Sequence, residues 1–488
     1  MSSTISSKAS SGVKWTAIRS LIIIISGVVQ VAVLGRLLTS EDFGAMALLT
    51  SIIGVANVFV QAGFSDALIA KDDADRAQLA TLYWVNIGAG IFLFLLLVVC
   101  APVVSIYFKY PDIETMLRVI AVVVIIAACA TQFEALMKKR LLFRPLSIIQ
   151  SIAACINTTV AIVAASYGAG AWSLVYGMIV NHLVIFTGLF FYAVKNKWLP
   201  EARFSYNSVL DFIQFGMFRV GAALLNQLNS RADQFVIGFL LGPSALGYYS
   251  VAYQLVMQPF SKINPILTHV SFPIFAAVKH DNERILRGYR KGLRTLTAIN
   301  APILVGIAAI APQVVPLLLG EGWTESVLLV QILSFYVIFR SAGNVSVGVI
   351  LAKGKYKWPL YWNFILLCII PLAIYSAANI YGTINAVAWM ILAVQIALTV
   401  MNYILYIRTL LRPKLLPVLL DFAIPLSVAS LMGGTVVVFD YFFASGFSLE
   451  WLRLSSDIVL GIFAYVVLSL ILQKQVSKDV LSIMRSTS

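Results

Sequence analysis

The chain is short of charge. Of its 488 residues only 11% are Asp, Glu, Lys or Arg, whereas a soluble globular protein carries about 25%. Histidine is scarcer: His182, His269 and His280 stand alone, and no Ser/His/Asp set can be assembled around them. The four cysteines, Cys100, Cys129, Cys155 and Cys368, all fall inside apolar runs and show no metal-ligand spacing. That pattern argues against a disulfide framework and against a zinc motif. No Walker loop is present, so ATP binding by this chain is not expected. Nor is there the long charged loop that a polymerase or ligase of lipid-linked sugars would need. These absences predict neither an enzyme nor a resident cofactor or metal.

What is abundant is apolar: 60% of residues are hydrophobic, 12% are aromatic, and the mean hydropathy is +0.92. The apolar residues lie in runs of about 20 or more, long enough to cross a ~30 Å hydrocarbon core. A helix satisfies its backbone polar groups within the segment. A barrel strand would alternate apolar and polar over about ten residues, and runs such as 21–25 and 91–100 do not alternate. The expected fold class is therefore an all-α polytopic membrane protein. Fourteen spans are predicted, near 13–38, 43–69, 79–108, 114–137, 145–166, 171–194, 211–241, 246–273, 288–319, 325–351, 358–379, 384–407, 416–440 and 452–473. Six tryptophans, including Trp15, Trp84 and Trp451, sit near span ends as an ordinary aromatic belt.

The net charge of +14 invites a nucleic-acid reading. Its distribution argues otherwise. With the N-terminus inside, 26 of the 35 Lys and Arg fall on cytosolic segments, and only Arg36, Lys109, Arg118 and Arg453 fall outside. This alternation is the positive-inside rule with both termini cytosolic. The Ser-rich stretch 1–12 reads as a cytosolic tail with no small-residue cleavage site.

The sequence also repeats. Gly35-Arg36-Leu37-Leu38-Thr39-Ser40-Glu41-Asp42-Phe43-Gly44 returns as Gly238-Phe239-Leu240-Leu241-Gly242-Pro243-Ser244-Ala245-Leu246-Gly247, an offset of 203. Ala101-Pro102 matches Ala311-Pro312, Lys139 and Pro145 match Lys353 and Pro359, and Tyr167-Gly168 matches Tyr381-Gly382. The chain thus reads as an N-terminal lobe of six helices (1–207), a second lobe of six (208–412), and two appended helices with a tail (413–488). Parallel repeats of this kind suit a cavity between lobes and alternating access.

These motifs, with Arg231-Ala232-Asp233 in span seven, Ser271-Phe272-Pro273 closing span eight and Glu134-Ala135-Leu136-Met137-Lys138-Lys139-Arg140-Leu141-Leu142-Phe143-Arg144-Pro145-Leu146 after span four, resemble the multidrug/oligosaccharidyl-lipid/polysaccharide exporter superfamily. The match is to its Wzx-like, colanic-acid-type polysaccharide transporter branch. The resemblance implies a V-shaped two-lobed helical fold and a flippase for undecaprenyl-diphosphate-linked repeat units in the bacterial inner membrane. Fourteen spans fit that branch better than the drug-extruding one, which usually has twelve. Asp66 stands where the family often has a small residue, so no role is carried over to it.

The informative residues are the ionisable ones inside spans. Each costs roughly 2.5–3.5 kcal/mol at the bilayer centre and so needs a wet cavity or a partner. Arg19 and Arg219 occupy corresponding depths in the two lobes. Facing a cavity they would bind a diphosphate bidentately; snorkelling to the interface is the other reading. Lys262 and Arg340, near mid-span, are either cavity cations or packed structural ones. Arg231 and Asp233 point to different sides of one helix. Asp233 either takes up a coupling ion or locks a buried network. Asp66 and Glu134 lie near cytosolic ends, as coupling groups or as interfacial partners of nearby Lys. Arg284, Arg287, Arg290, Lys291 and Arg294 form a basic helical face for anionic lipid headgroups or for steering a diphosphate lipid. Asn57, Gln61, Asn226, Gln227 and Asn229 offer hydrogen bonds to sugars or to neighbouring helices.

The leading expectation is a flippase with a cationic cavity for the diphosphate and sugars, coupled to a proton or sodium ion. Its partners would be a polyprenyl-diphosphate-linked oligosaccharide, membrane lipid and the polysaccharide assembly machinery, with no nucleic acid. A cation-coupled exporter of small drugs on the same fold is the alternative. It would need an acidic cavity, whereas five basic residues lie within spans against the acidic Asp66, Glu134, Asp233 and Asp421. A scaffold for an assembly complex is a third class.

Overall fold

The computed structural model describes residues 2–61, 76–201, 206–443 and 450–473. Among them there is no strand, and thirteen helices are long and apolar enough to cross a membrane. The first unit contains α1 (Ser2–Leu37), α2 (Ser40–Gln61), α3 (Arg76–Phe108), α4 (Asp112–Ile120), α5 (Val122–Lys139), α6 (Phe143–Ser166) and α7 (Trp172–Lys195). Then α8 (Tyr206–Ala277) runs on into the second unit. There follow α9 (Asn282–Leu319), α10 (Glu325–Ala352), α11 (Trp358–Tyr381), α12 (Ile384–Asn402, prolonged by a π-helical turn Tyr403–Arg408), α13 (Leu415–Phe442) and α14 (Glu450–Leu472).

The sequence predicts fourteen spans, and the difference from thirteen is α8. It is 72 residues long because two spans are joined at Gly242, whose φ of 85° and ψ of 178° break the helix. α4 and α5, separated only by Ala121, act together as one span, Asp112–Lys139. Divided at Gly242, the spans among the described residues number fourteen, and the chain is a multi-pass membrane protein.

As packed bodies the chain forms two units, 1–247 and 248–488. The lobes 1–207, 208–412 and 413–488 are a division by repeat, and the packed boundary falls just after the α8 break. In the first unit α1 lies along α6, α6 along α7, and α5 contacts α2, α3 and α7. The α1–α6 contact is a polar ladder: Arg19 with Gln150, Ser26 with Cys155, and Gln30 with Asn157 at 3.0 Å. Between helices in lipid such bonds replace the hydrophobic drive that water would supply. In the second unit α9 contacts α10, α13 and α14. A buried cluster of Tyr289, Leu293 and Leu296 of α9 with Val345 and Val349 of α10 and Val418 of α13 holds that centre. Large apolar side chains such as Val99 and Ile106 of α3 and Ile462 and Phe463 of α14 stand exposed, as faces that meet hydrocarbon must.

The repeated motif forms the starts of helices. In the first copy Thr39 and Asp42 make a reciprocal capping box: Asp42 Oδ2 accepts from the Thr39 N–H at 2.9 Å, and Thr39 Oγ1 accepts from the Asp42 N–H at 3.3 Å. This satisfies N–H groups that the first turn of α2 cannot bond internally. The other Asp42 oxygen accepts from the Ala171 N–H at 2.9 Å, tying the start of α2 to the start of α7. In the second copy Gly242 takes the place of Thr39, and a left-handed glycine turns the chain where no cap exists.

The two copies also meet. A Cβ on Gly44 would fall on the Pro243 carbonyl oxygen, and a Cβ on Gly247 on the Ser40 carbonyl oxygen. Each glycine thus faces the residue four positions before the other, an isologous contact across a local two-fold. The Ser40 and Ser244 hydroxyls close it at 2.7 Å. Close by, burial and the carboxylates of Glu41, Asp112 and Asp42 push the Tyr110 phenol up to about 12, so it stays a neutral O–H.

Gly88 in α3 has open space where a Cβ would sit, and alanine improves helix propensity by about 1 kcal/mol. Gly88→Ala is therefore expected to leave the thermal midpoint unchanged or raised. Gly44→Ala and Gly247→Ala should lower it by several degrees through forced separation of the backbones. Thermal unfolding of the purified variants checks this; equal midpoints for Gly44→Ala and Gly88→Ala would refute the close contact.

Candidate functional site

The first unit holds a chain of side chains that joins three helices. Arg19 of α1 donates from Nη1 to Gln150 Oε1 of α6 at 2.5 Å. Gln150 donates from Nε2 to Glu134 Oε1 of α5 at 3.3 Å, and Lys138 Nζ lies 2.8 Å from the same carboxylate oxygen. An amide suits the middle of this chain, because it presents an acceptor to the guanidinium and a donor to the carboxylate. Glu134 and Lys138 face each other because they are one helical turn apart. The sum is one excess positive charge, from Arg19, Lys138 and Glu134.

Beside this chain lies a cavity of about 680 Å³. Its polar wall is made of Gln61 of α2, Thr131, Glu134 and Lys138 of α5, His182 of α7, and Asn226 and Gln227 in the first half of α8. Ala127, Ala130 and Ala223 complete it with small side chains, which is what leaves the space open. His182 Nδ1 is 2.9 Å from the Met178 carbonyl oxygen. A carbonyl only accepts, so Nδ1 carries the hydrogen and donates it to Met178. The cavity therefore presents donors and acceptors of several kinds beside a net positive chain, a lining suited to an anionic, hydroxyl-rich ligand.

The other ionisable residues singled out from the sequence lie elsewhere. Arg231 donates from Nη1 to Gln234 Oε1 at 2.9 Å, and Ser51 of α2 donates to the same oxygen at 2.6 Å. Buried Asp233 accepts the Gln234 N–H at 2.9 Å. The two residues thus converge on Gln234, within a lock between α2 and α8. In the second unit Arg340 donates to the hydroxyls of Tyr253 and Tyr336 at 3.0 and 3.1 Å, and Lys262 is exposed. Of the residues read as cavity cations, Arg19 belongs to the first unit, and Lys262 and Arg340 belong to the second. Asp66 lies outside the described residues, as does the side chain of Arg219. Of the basic face on α9, Arg284 pairs with Asp281 at 3.1 Å. Arg290 pairs with Asp421 of α13 at 2.5 Å, and Arg294 lies 3.9 Å from the same carboxylate. Those two cations hold a helix to its neighbour, while Arg287 and Lys291 remain exposed at the surface.

Gln150 and His182 were not legible as site residues. A search for charges inside spans passes over a neutral amide, and His182 has no ligand-spaced partner in sequence. The only signal was a glutamine within the apolar run of α6.

Fold and cavity together define a polytopic helical membrane protein of the transporter kind, and comparison with known proteins gives the family. Residues 33–328 match the family described as "Polysaccharide biosynthesis protein". The chain is 32% identical over 403 residues to the teichuronic acid biosynthesis protein TuaB of Bacillus subtilis, covering 82% of each chain. It is 30% identical over 408 residues to the lipopolysaccharide biosynthesis protein WzxC of Escherichia coli, covering 83% of this chain and 82% of that one. A solved structure of the lipid II flippase MurJ, in an inward closed conformation, has the same fold, with a TM-score of 0.71 at 14% identity over 93% of this chain and 98% of that one. The chain belongs to the polysaccharide biosynthesis protein family, in the Wzx-like polysaccharide transporter branch of the multidrug/oligosaccharidyl-lipid/polysaccharide exporter superfamily.

The cavity can be tested directly. In a background with Cys100, Cys129, Cys155 and Cys368 replaced, Thr131→Cys is expected to react with a hydrophilic maleimide within minutes. Ala128→Cys, on the fully buried face of α5, should react at least tenfold more slowly. Equal rates would mean that the α5 face at Thr131 does not border water.

Proposed function

We propose that this protein moves lipid-linked polysaccharide repeat units from one leaflet of the bacterial inner membrane to the other, with undecaprenyl diphosphate as the carrier. The observation that carries the reading is the polar cavity beside the Arg19–Gln150–Glu134–Lys138 chain, set within spans of a polysaccharide biosynthesis family member. The names of its relatives support it: teichuronic acid and lipopolysaccharide biosynthesis, and a succinoglycan transport protein of Rhizobium meliloti. The diphosphate would meet Arg19 and Lys138, sugar hydroxyls would meet Gln61, Asn226 and Gln227, and the polyprenyl tail would stay in lipid. Both termini face the cytosol in this reading, as the loop charges require.

Alternating access would proceed by parting of the Gly44–Gly247 contact, which closes one end of the path.

Deleting the gene should raise lipid-linked repeat units severalfold and abolish surface polysaccharide. Complementation with Arg19→Ala or Gln150→Leu should restore transport at roughly a tenth of the wild-type rate or less, the effect of losing about 1.5 kcal/mol of charge-assisted hydrogen bonding. Unchanged surface polysaccharide in the deletion strain would sink the reading, and hypersensitivity to amphipathic drugs would point to the exporter instead. For the motion, Ser40→Cys with Ser244→Cys should stop flipping under oxidant and recover with reductant. Full flipping by the oxidised pair would exclude parting of that contact.

A further inference from the structure

Prolines explain how the last two helices are held. α9 contains Pro302, Pro312 and Pro316, and each removes the N–H that would bond the carbonyl four residues before it. The carbonyl of Ala298, freed by Pro302, accepts from the Tyr465 hydroxyl of α14 at 2.5 Å. The carbonyl of Ala308, freed by Pro312, accepts from Gln331 Nε2 of α10 at 3.3 Å. Pro316 leaves the carbonyl of Pro312 without its i+4 donor, and the next residue is Gln313.

Gln313 is where α9, α13 and α14 come together. Its Nε2 donates to Asp457 Oδ2 of α14 at 2.7 Å, and it also neighbours Asp440 of α13. Asp440 is fully engaged by Arg453, with Nε on Oδ1 at 2.5 Å and Nη2 on Oδ2 at 2.8 Å. Asp457 is 0% exposed, and its Oδ1 has no hydrogen-bond partner. The Oε1 of Gln313 is likewise buried and unpartnered. Two acceptor-only oxygens on one hydrogen-bonded pair are thus left over, in a segment seven residues or about 10 Å below the end of α14. The charges do not balance either. Arg453 pairs with Asp440 through both oxygens, so a charged Asp457 would leave one excess negative charge.

We propose that Asp457 and Gln313 bind a monovalent alkali cation, of the size and hardness of sodium. Oxygen ligands suit a hard cation, and one unit of positive charge cancels the excess. A divalent ion would need more carboxylates: among the described residues no three His, Cys, Asp or Glu side chains converge to hold a metal. Asp457 Oδ1 and Gln313 Oε1 supply two ligands, and the Pro312 carbonyl is a third oxygen in the same turn of α9. The bound ion would tie α13 and α14 to α9, as Arg290 and Asp421 do near the other end of α9. Nothing in this inference depends on the transported substrate.

The test uses the full chain in lipid nanodiscs, with thermal unfolding read in NaCl or in choline chloride at equal ionic strength and fixed pH. Sodium should raise the midpoint by several degrees, saturably in the millimolar range. Asp457→Asn should abolish the sodium dependence. Gln313→Leu, which keeps the carboxylate, should shift the half-saturating concentration upward at least tenfold and serves if Asp457→Asn does not fold. Hydrogen exchange of α13 and α14 should slow with sodium in the wild type only. An equal midpoint in both salts, a sodium effect that survives Asp457→Asn, or stabilisation that follows falling pH with no cation preference overturns the proposal. The last outcome would place a proton on Asp457. Because the readout is binding, failure here would leave the flippase reading standing, and loss of flipping alone would leave this site standing.

Discussion

Inside hydrocarbon a polar group has no water to turn to, and this constraint organises the whole molecule. It makes every span a helix, and it then requires a partner for each departure from the helix. The prolines of α9 illustrate the rule. They bend nothing open to lipid without recompense, because Tyr465 and Gln331 arrive from other helices at two of the freed carbonyls. The same requirement places Gln150 between a cation and an anion, and Asp421 opposite two arginines. Polar contacts here select which helices are neighbours. Apolar side chains, free to face either lipid or protein, discriminate far less.

Duplication gave the two motif copies the same geometric task and different means. Thr39 and Asp42 begin α2 with a capping box, worth about 1 kcal/mol, and Asp42 also anchors α7. The second copy lost both side chains and kept only a glycine in the left-handed region. What both retained is the glycine that closes the motif, flat enough for the backbone of the other copy to approach. A contact of this kind is shape without chemistry. Its strength comes from many weak dispersion contacts, which vanish steeply with separation. It is thus well suited to being either fully closed or fully open.

Most of the fold could be read from the sequence because its signals are long. Apolar runs, alternating loop charges and the offset of about 200 residues each average over many positions. Even α8 follows the expected division, because Gly242 breaks the helix between the spans expected at 211–241 and 246–273 without any polar loop. The site was legible only in part. Arg19 and Glu134 announced themselves as charges in apolar runs, and the i, i+4 position of Lys138 was visible. Their joining could not be seen, because it depends on Gln150, 131 residues from Arg19 and neutral. Arg231 shows the converse: a conspicuous charge bonded to Gln234 Oε1, the oxygen that also accepts from Ser51 of α2. Intramembrane charge marks importance without distinguishing a path from a lock.

That distinction can be argued from energetics. A lock should be buried and doubly satisfied, as the Gln234 side-chain oxygen is, since breaking it would leave the charge of Arg231 unpaired at a cost of several kcal/mol. A binding site should hold its charges in partnerships that a ligand can replace. The Arg19–Gln150–Glu134–Lys138 chain has this character. Its Gln150–Glu134 link is long at 3.3 Å, Lys138 is half exposed, and the cavity runs alongside. An anionic ligand with several oxygens would offer such cations better acceptors than one carboxylate and one amide, so that its exchange into the chain would cost little.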